Sequence, residues 1–97
     1  EPDFENLHGL EISEWPDYIE TKISDEEFKI ALKVALDDLD EKYRSVFVLR
    51  DLEELSTAKT AEILKLSESN VKVRLMRARL FLRDRMSTIL KREGWLV

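Results

Sequence analysis

The chain has 97 residues, with 16 Lys/Arg against 21 Asp/Glu, a formal net charge of -5, no cysteine and one histidine. A chain of this length buries about two thirds of its unfolded surface and has room for one small domain, which excludes a large enzyme cleft. The absence of cysteine excludes a disulfide framework and a thiolate metal site and suits a reducing cytoplasm. No apolar run approaches the roughly 18 residues of a membrane span, and no signal peptide is visible, so the expectation is a cytoplasmic protein without membrane insertion. The first residue is Glu1 rather than Met, which reads as a fragment of a longer protein.

Residues 1–24, EPDFENLHGLEISEWPDYIETKIS, hold both prolines and no sustained helical period. They read as an extended acidic linker in which Phe4, Leu7, Leu10, Ile12, Trp15, Tyr18 and Ile19 are scattered apolar anchors. Pro16 disfavours helix at Trp15. His8 has no second His or Cys at ligand spacing, so no metal is expected. A first helix is predicted over residues 25–38, with Ser24 as N-cap and Glu27 completing a capping box. Phe28, Ala31, Leu32, Ala35, Leu36 and Leu39 recur at helical spacing and form its core face. Ile30 and Val34 lie off that stripe and offer a second contact surface. Asp40 is placed to cap the next helix, over residues 41–53, where Tyr43, Val46, Phe47, Leu49 and Leu52 supply packing. Arg44 and Arg50 read as exposed cations.

Residues 56–82, STAKTAEILKLSESNVKVRLMRARLFL, have the length and punctuation of a helix-turn-helix. Ser56 caps the first of the two helices, in which Ala58, Ala61, Ile63 and Leu64 give an apolar face, and Ser67 caps the second after an interruption at residues 65–67. Small Ala61, one turn before the reversal, lets the helices cross closely. In the second helix Val71, Leu75, Ala78 and Leu82 fall on one stripe at spacings of four, three and four. Opposite that stripe lie Ser69, Lys72, Val73 and Met76, with Arg77 at the flank. In a helix-turn-helix this face enters the major groove, where Lys and Arg donate to guanine and a methyl-bearing side chain touches thymine.

The last helix continues through Arg83, Met86, Ile89 and Leu90 toward Arg92, with Gly94 as its C-cap, and the apolar tail of residues 95–97 is expected to return to the bundle. Leu80 and Phe81, together with Met86, form an expected exposed apolar patch. The charge is divided along the chain. Residues 1–42 carry 14 acidic and 4 basic side chains, whereas residues 43–97 carry 7 and 12. Between positions 65 and 92 there are 9 basic and 2 acidic side chains, so the field around the second helix is positive, as nucleic-acid contact requires.

At these residues the chain resembles region 4 of bacterial sigma factors, most nearly the extracytoplasmic-function, sigma-E-like group. The resemblance rests on the run EKYRSVFVLRDLE at residues 41–53, on Leu55 and Ser56, and on VKVRLMRAR at residues 71–79. It spans residues 25–86, nearly two thirds of the chain. The family usually has Gly where Glu54 and Lys65 stand, Pro where Asp40 stands, Gly-Thr where Ser69 and Asn70 stand, and Ser where Val73 stands. A non-Gly residue held at positive φ in the turn costs roughly 1 kcal/mol, so a slightly altered turn is expected.

The resemblance implies an all-α fold, a small four-helix bundle containing a helix-turn-helix without a wing. Residues 1–24 are then the linker and residues 25–97 the region 4 domain. It implies promoter recognition, with the second helix in the major groove of the minus 35 element, Ser69, Lys72, Val73, Met76 and Arg77 reading bases, and Arg44, Lys59, Arg74 and Arg79 holding phosphates. Arg74 and Arg79 also lie near enough to the core stripe to brace the bundle instead. The implied partners are promoter DNA, the RNA polymerase core through the flap of its beta subunit, and an anti-sigma protein; no cofactor is implied.

Catalysis has no residues to carry it. There is no Ser/His/Asp constellation and no Gly-rich phosphate loop, and neighbouring carboxylates such as Asp37 and Asp38 diverge by about 100° on a helix, so the expectation is a protein that is not an enzyme. Two other readings stay open. One is the output domain of a two-component response regulator, a dimeric reader of palindromes, whose family usually has His where Arg74 stands. The other is a protein-interaction module that has lost sequence reading.

Overall fold

In the computed structural model the described residues are 24–94; the linker up to residue 23 and the apolar tail lie outside them. Four helices follow one another: α1 (Asp25–Asp37), α2 (Glu41–Phe47), α3 (Thr57–Leu64) and α4 (Glu68–Arg92). Among the described residues there is no strand. α4, at 25 residues, is about 37 Å long at 1.5 Å per residue and spans most of the molecule's 40 Å long axis. α1, α2 and α3 all pack on it.

α1 begins as its sequence dictates. The Ser24 hydroxyl accepts from the Glu27 amide at 3.1 Å and the Glu27 carboxylate accepts from the Ser24 amide at 2.9 Å, which satisfies two amides that a helix start leaves open. Ala31, Leu32, Ala35 and Leu39 are buried, with Phe28 and Leu36 packed against them. Ile30 and Val34 face outward, 47% and 41% exposed. Asp40 occupies the N-cap of α2, but its side chain makes no capping hydrogen bond.

α2 departs from a regular helix. At Val48–Leu52 the chain widens into a π-turn, in which the Glu53 amide reaches back five residues to the Val48 carbonyl. Val46 and Phe47 are buried, while Leu52, expected to pack, is 44% exposed. Three and four residues beyond Phe47, on its side of the helix, stand Arg50 and Asp51. Arg50 is therefore not the exposed cation that its residue type suggests. It is only 7% exposed, and its guanidinium donates to the Leu55 carbonyl at 2.6 Å, tying the π-turn to the loop that leads into α3.

The core continues along α4 as Val71, Leu75, Ala78, Leu82, Met86, Ile89 and Leu90. The stripe outlasts Leu82 because α4 packs on α1 as well as on α2 and α3, and beyond Leu82 its Arg85 reaches Asp38 at the end of α1. Met86 is thus fully buried and does not belong to an exposed patch; of the three residues expected there, Leu80 is 40% exposed and Phe81 packs against the core. After Arg92 the chain leaves the helix through Gly94 at φ +77, a left-handed conformation that suits glycine.

Candidate nucleic-acid interface

The interface is built on α3, its turn and the first half of α4. The Ser56 hydroxyl accepts from the Lys59 amide at 3.0 Å to start α3. Its buried side is Thr60 and Ala61, with Thr57 and Leu64 half-buried beside them, which is a strict i, i+3, i+4, i+7 face. Ala58 and Ile63, expected on that face, are exposed; periodicity outranks side-chain type here. Ala61 is 7% exposed and lies on the side of α3 packed against its neighbours, as a close crossing requires.

The turn keeps glycine geometry without glycine. Lys65 adopts φ 57 and Glu54, at the earlier loop, φ 58. The expected alteration of the turn is absent, and the left-handed strain is retained. Around Lys65 the Leu66 amide donates to the Ala61 carbonyl at 2.9 Å and the Lys65 amide to the Glu62 carbonyl at 3.4 Å, the paired bonds of a Schellman ending. Leu66 packs against the core, and two residues after the reversal the Ser67 hydroxyl accepts from the Asn70 amide at 3.1 Å to start α4.

Rotation of α4 is fixed by an ion pair. Arg79 and Asp51 meet through two hydrogen bonds, from Nε at 2.7 Å and from an Nη at 2.6 Å, with side chains 2% and 4% exposed. This fork-to-fork geometry is the directional form of an Arg–carboxylate contact. Arg79 therefore leaves the set of phosphate contacts, because a buried guanidinium already paired to a carboxylate cannot reach DNA. It braces the bundle. The sequence carried a signal for the pair: Asp51 sits on the Phe47 side of its helix, and Arg79 adjoins core residue Ala78.

On the outer side of α4, Ser69 and Arg77 are exposed and Lys72, Val73 and Met76 are half-buried, so the five expected base-reading residues share one face. That face also contains Asn70, which is exposed and is not among the expected base-reading residues. Its spacing to Val73 and Arg77, three and seven residues, was the available clue. Arg74 is half-buried, and neither it nor Arg77 has a side-chain hydrogen bond or ion pair among the described residues. Lys59 is exposed and pairs with Glu62 at 3.1 Å across one turn of α3, a contact of a kind worth little in water. Arg44 differs from both: it is paired with Glu41 and donates to the Leu36 carbonyl at 3.4 Å, so its hydrogen bonds stay within the α1–α2 junction. Among the described residues no group of three or more His, Cys, Asp or Glu could share a metal ion, and no helix is long and apolar enough to cross a membrane.

A capped helix, a left-handed turn and a second capped helix make a helix-turn-helix, the geometry that many DNA-reading proteins use. The family model for sigma-70, region 4 matches residues 29–82, more than half of the chain. The chain belongs to the sigma-70 region 4 family. Neither the curated proteins nor the solved structures gave a match. The matched span runs from the second turn of α1 to Leu82 of α4 and contains the helix-turn-helix and the Arg79–Asp51 pair. Region 4 is a DNA-binding, non-catalytic sigma-factor domain that acts in promoter recognition together with RNA polymerase. Membership sets aside the response-regulator output domain as a description of this chain.

Proposed function

We propose that this region 4 belongs to a sigma factor of the extracytoplasmic-function type and places the first half of α4 in the major groove of the minus 35 element. The observation that carries the reading is the outer face of α4, where Asn70, Val73 and Arg77 form one ridge and Ser69 and Met76 the next, opposite a fully buried stripe. In this reading Arg77 and Lys72 donate to guanine, Ser69 makes an adaptable polar contact, and Asn70 suits adenine. Lys59 and Arg74 hold phosphates on either side and supply the salt-dependent part of the affinity. Arg44 is omitted, since a phosphate would have to displace its partners.

Polymerase contact belongs to the other helices. We assign the beta-subunit flap to α1 and α2, where Ile30 and Val34 stay exposed and a shallow depression of about 300 Å³ is lined by Val48 and Leu49 between Arg44 and Ser45. An anti-sigma protein would act by covering these surfaces or the face of α4. The place of action is then the cytoplasm, where promoter and polymerase meet. Residues 1–24 act as the linker and residues 25–97 as the domain.

The test is selection from a random duplex pool at low and moderate salt, repeated with Arg77→Ala. A short asymmetric motif is expected from the wild type. The variant should bind that motif about 1–3 kcal/mol more weakly and accept any base at one position. Equal binding of all sequences by the wild type would refute base reading by α4.

A further inference from the structure

We propose that Val73, with Met76 beside it, recognises the 5-methyl group of thymine, so that the promoter site carries thymines whose methyl groups contribute to affinity. The inference rests on the reading of α4 as the helix that enters the major groove, and it assigns a ligand to the two apolar positions of that face. Val73 lies about 200° around the helix from core residue Val71, and about 40° and 60° from Arg77 and Asn70. Both lie on the same side of it, and Ser69 lies about 40° away on the other, so Val73 occupies the middle of the outer face with side chains able to hydrogen-bond bases to either side. Whatever edges Arg77 and Asn70 reach, Val73 meets a neighbouring one.

Val73 and Met76 are half-buried, yet belong neither to the buried core nor to the partly buried apolar residues packed against it. Packing into the core therefore does not account for them. Neither residue can satisfy a donor or acceptor on a base. An adenine or cytosine amino group set against Val73 would lose its water without a replacement, which carries a penalty. The thymine methyl is the apolar group that the major groove displays, and it is the one base-edge partner that gains from burial against a valine. Val73 has a restricted χ1, so its methyl groups present a fixed surface; Met76, with three rotatable bonds, adapts to whatever lies next to it.

The experiment uses the full chain and the motif obtained by selection. Each thymine of the motif is replaced in turn by deoxyuridine, which keeps every hydrogen-bonding group and lacks only the methyl. The wild type should lose affinity by about fourfold, the weight of one buried methyl group, at one or two positions. Val73→Ser should bind the thymine and uracil duplexes equally at one of them, and Met76→Ala at the second if there is one. Both variants alter half-buried side chains, and thermal melting establishes that they fold. Indifference of the wild type to uracil at every position would overturn the inference, as would a penalty that persists unchanged in both variants. Either result leaves the DNA reading standing, because the motif itself has been found; a pool that yields no motif removes that reading and the inference with it.

Discussion

Removing one member of the Arg79–Asp51 pair tests how α4 is held. The two side chains are 2% and 4% exposed and share two short hydrogen bonds, so Arg79→Met leaves the Asp51 carboxylate buried and uncompensated. Such a loss costs about 3–5 kcal/mol, and a domain of this size has a total stability near the lower end of about 5–15 kcal/mol. With a change of roughly 4–8 °C per kcal/mol for 60–100 residues, the variant should melt at least about 12 °C below the wild type. Replacing both partners, as Asp51→Leu with Arg79→Met, removes the buried charges together and should return stability to within about 1 kcal/mol of the wild type. Urea denaturation of the wild type, both single variants and the double variant closes the cycle, provided that the slopes agree. A single variant within about 1 kcal/mol of the wild type would mean that water screens the pair. A double variant as unstable as the sum of the singles would mean that the two residues act independently. Either outcome refutes the buried brace.

The remaining predictions concern the turn, the α3 core and the phosphate contacts. Lys65→Gly should stabilise the protein by about 0.5–1 kcal/mol, the left-handed strain relieved less the entropy that glycine adds to the unfolded chain, and urea melting would register it as a higher midpoint. Glu54→Gly should do the same at the earlier loop. Thr60 is fully buried and its hydroxyl has no hydrogen-bond partner among the described residues, so Thr60→Val should raise stability by about 1 kcal/mol in the same assay. Arg74→Ala should weaken all duplexes alike and flatten the dependence of log affinity on log salt by about one unit, measured by fluorescence anisotropy across a salt series.

Much of the fold is legible in the sequence because its signals are local. Ser24, Ser56 and Ser67 each stand one residue before a helix, and in each case the hydroxyl accepts the amide three residues on, so three of the four helix starts follow from residue type and position. The core stripe of α4 follows from periodicity, since Val71, Leu75, Ala78, Leu82, Met86 and Ile89 repeat at spacings of three and four along nearly its whole length, whereas the outer set Val73, Met76 and Leu80 ends at Arg83 and Asp84. The departures at Arg50, Leu52, Ala58 and Ile63 share one cause: the expectation weighs side-chain type above position, with leucine, alanine and isoleucine inside and arginine outside. Yet Arg50 follows Phe47 by three residues, and Thr60 precedes Leu64 by four. The fold keeps the period and accepts the polar side chain, with the Leu55 carbonyl as partner for Arg50. The left-handed Lys65 and Glu54 were not legible, because the resemblance supplies glycine at those places and only the backbone shows that the geometry survives without it. Within the interface, burial of Arg79 depends on Asp51, 28 residues earlier in the chain: local position marks each as close to the core, and only the fold brings the two together.

The position of that contact bears on how a helix packed into a bundle can read bases. α4 has two tasks along its length: its first half presents Asn70, Val73 and Arg77 outward, and its second half buries Leu82, Met86, Ile89 and Leu90 in the core. Adding or removing one residue would turn the reading face by about 100° relative to the bundle and bring a different set of side chains to the groove. Three devices oppose such an error. The Schellman turn at Lys65 and the Ser67 cap fix where the helix begins, the buried stripe fixes which side its far half turns to the core, and the Arg79 fork fixes rotation between the two halves. Apolar packing alone tolerates small rotations because it is not directional. Two hydrogen bonds to one carboxylate tolerate far less, since each weakens as its angle departs from linear. A charged pair buried in so small a domain contributes little net stability over apolar residues of the same shape. What it adds is orientation, and in a helix whose base contacts depend on rotation, that accounts for finding the pair between the half that reads and the half that anchors.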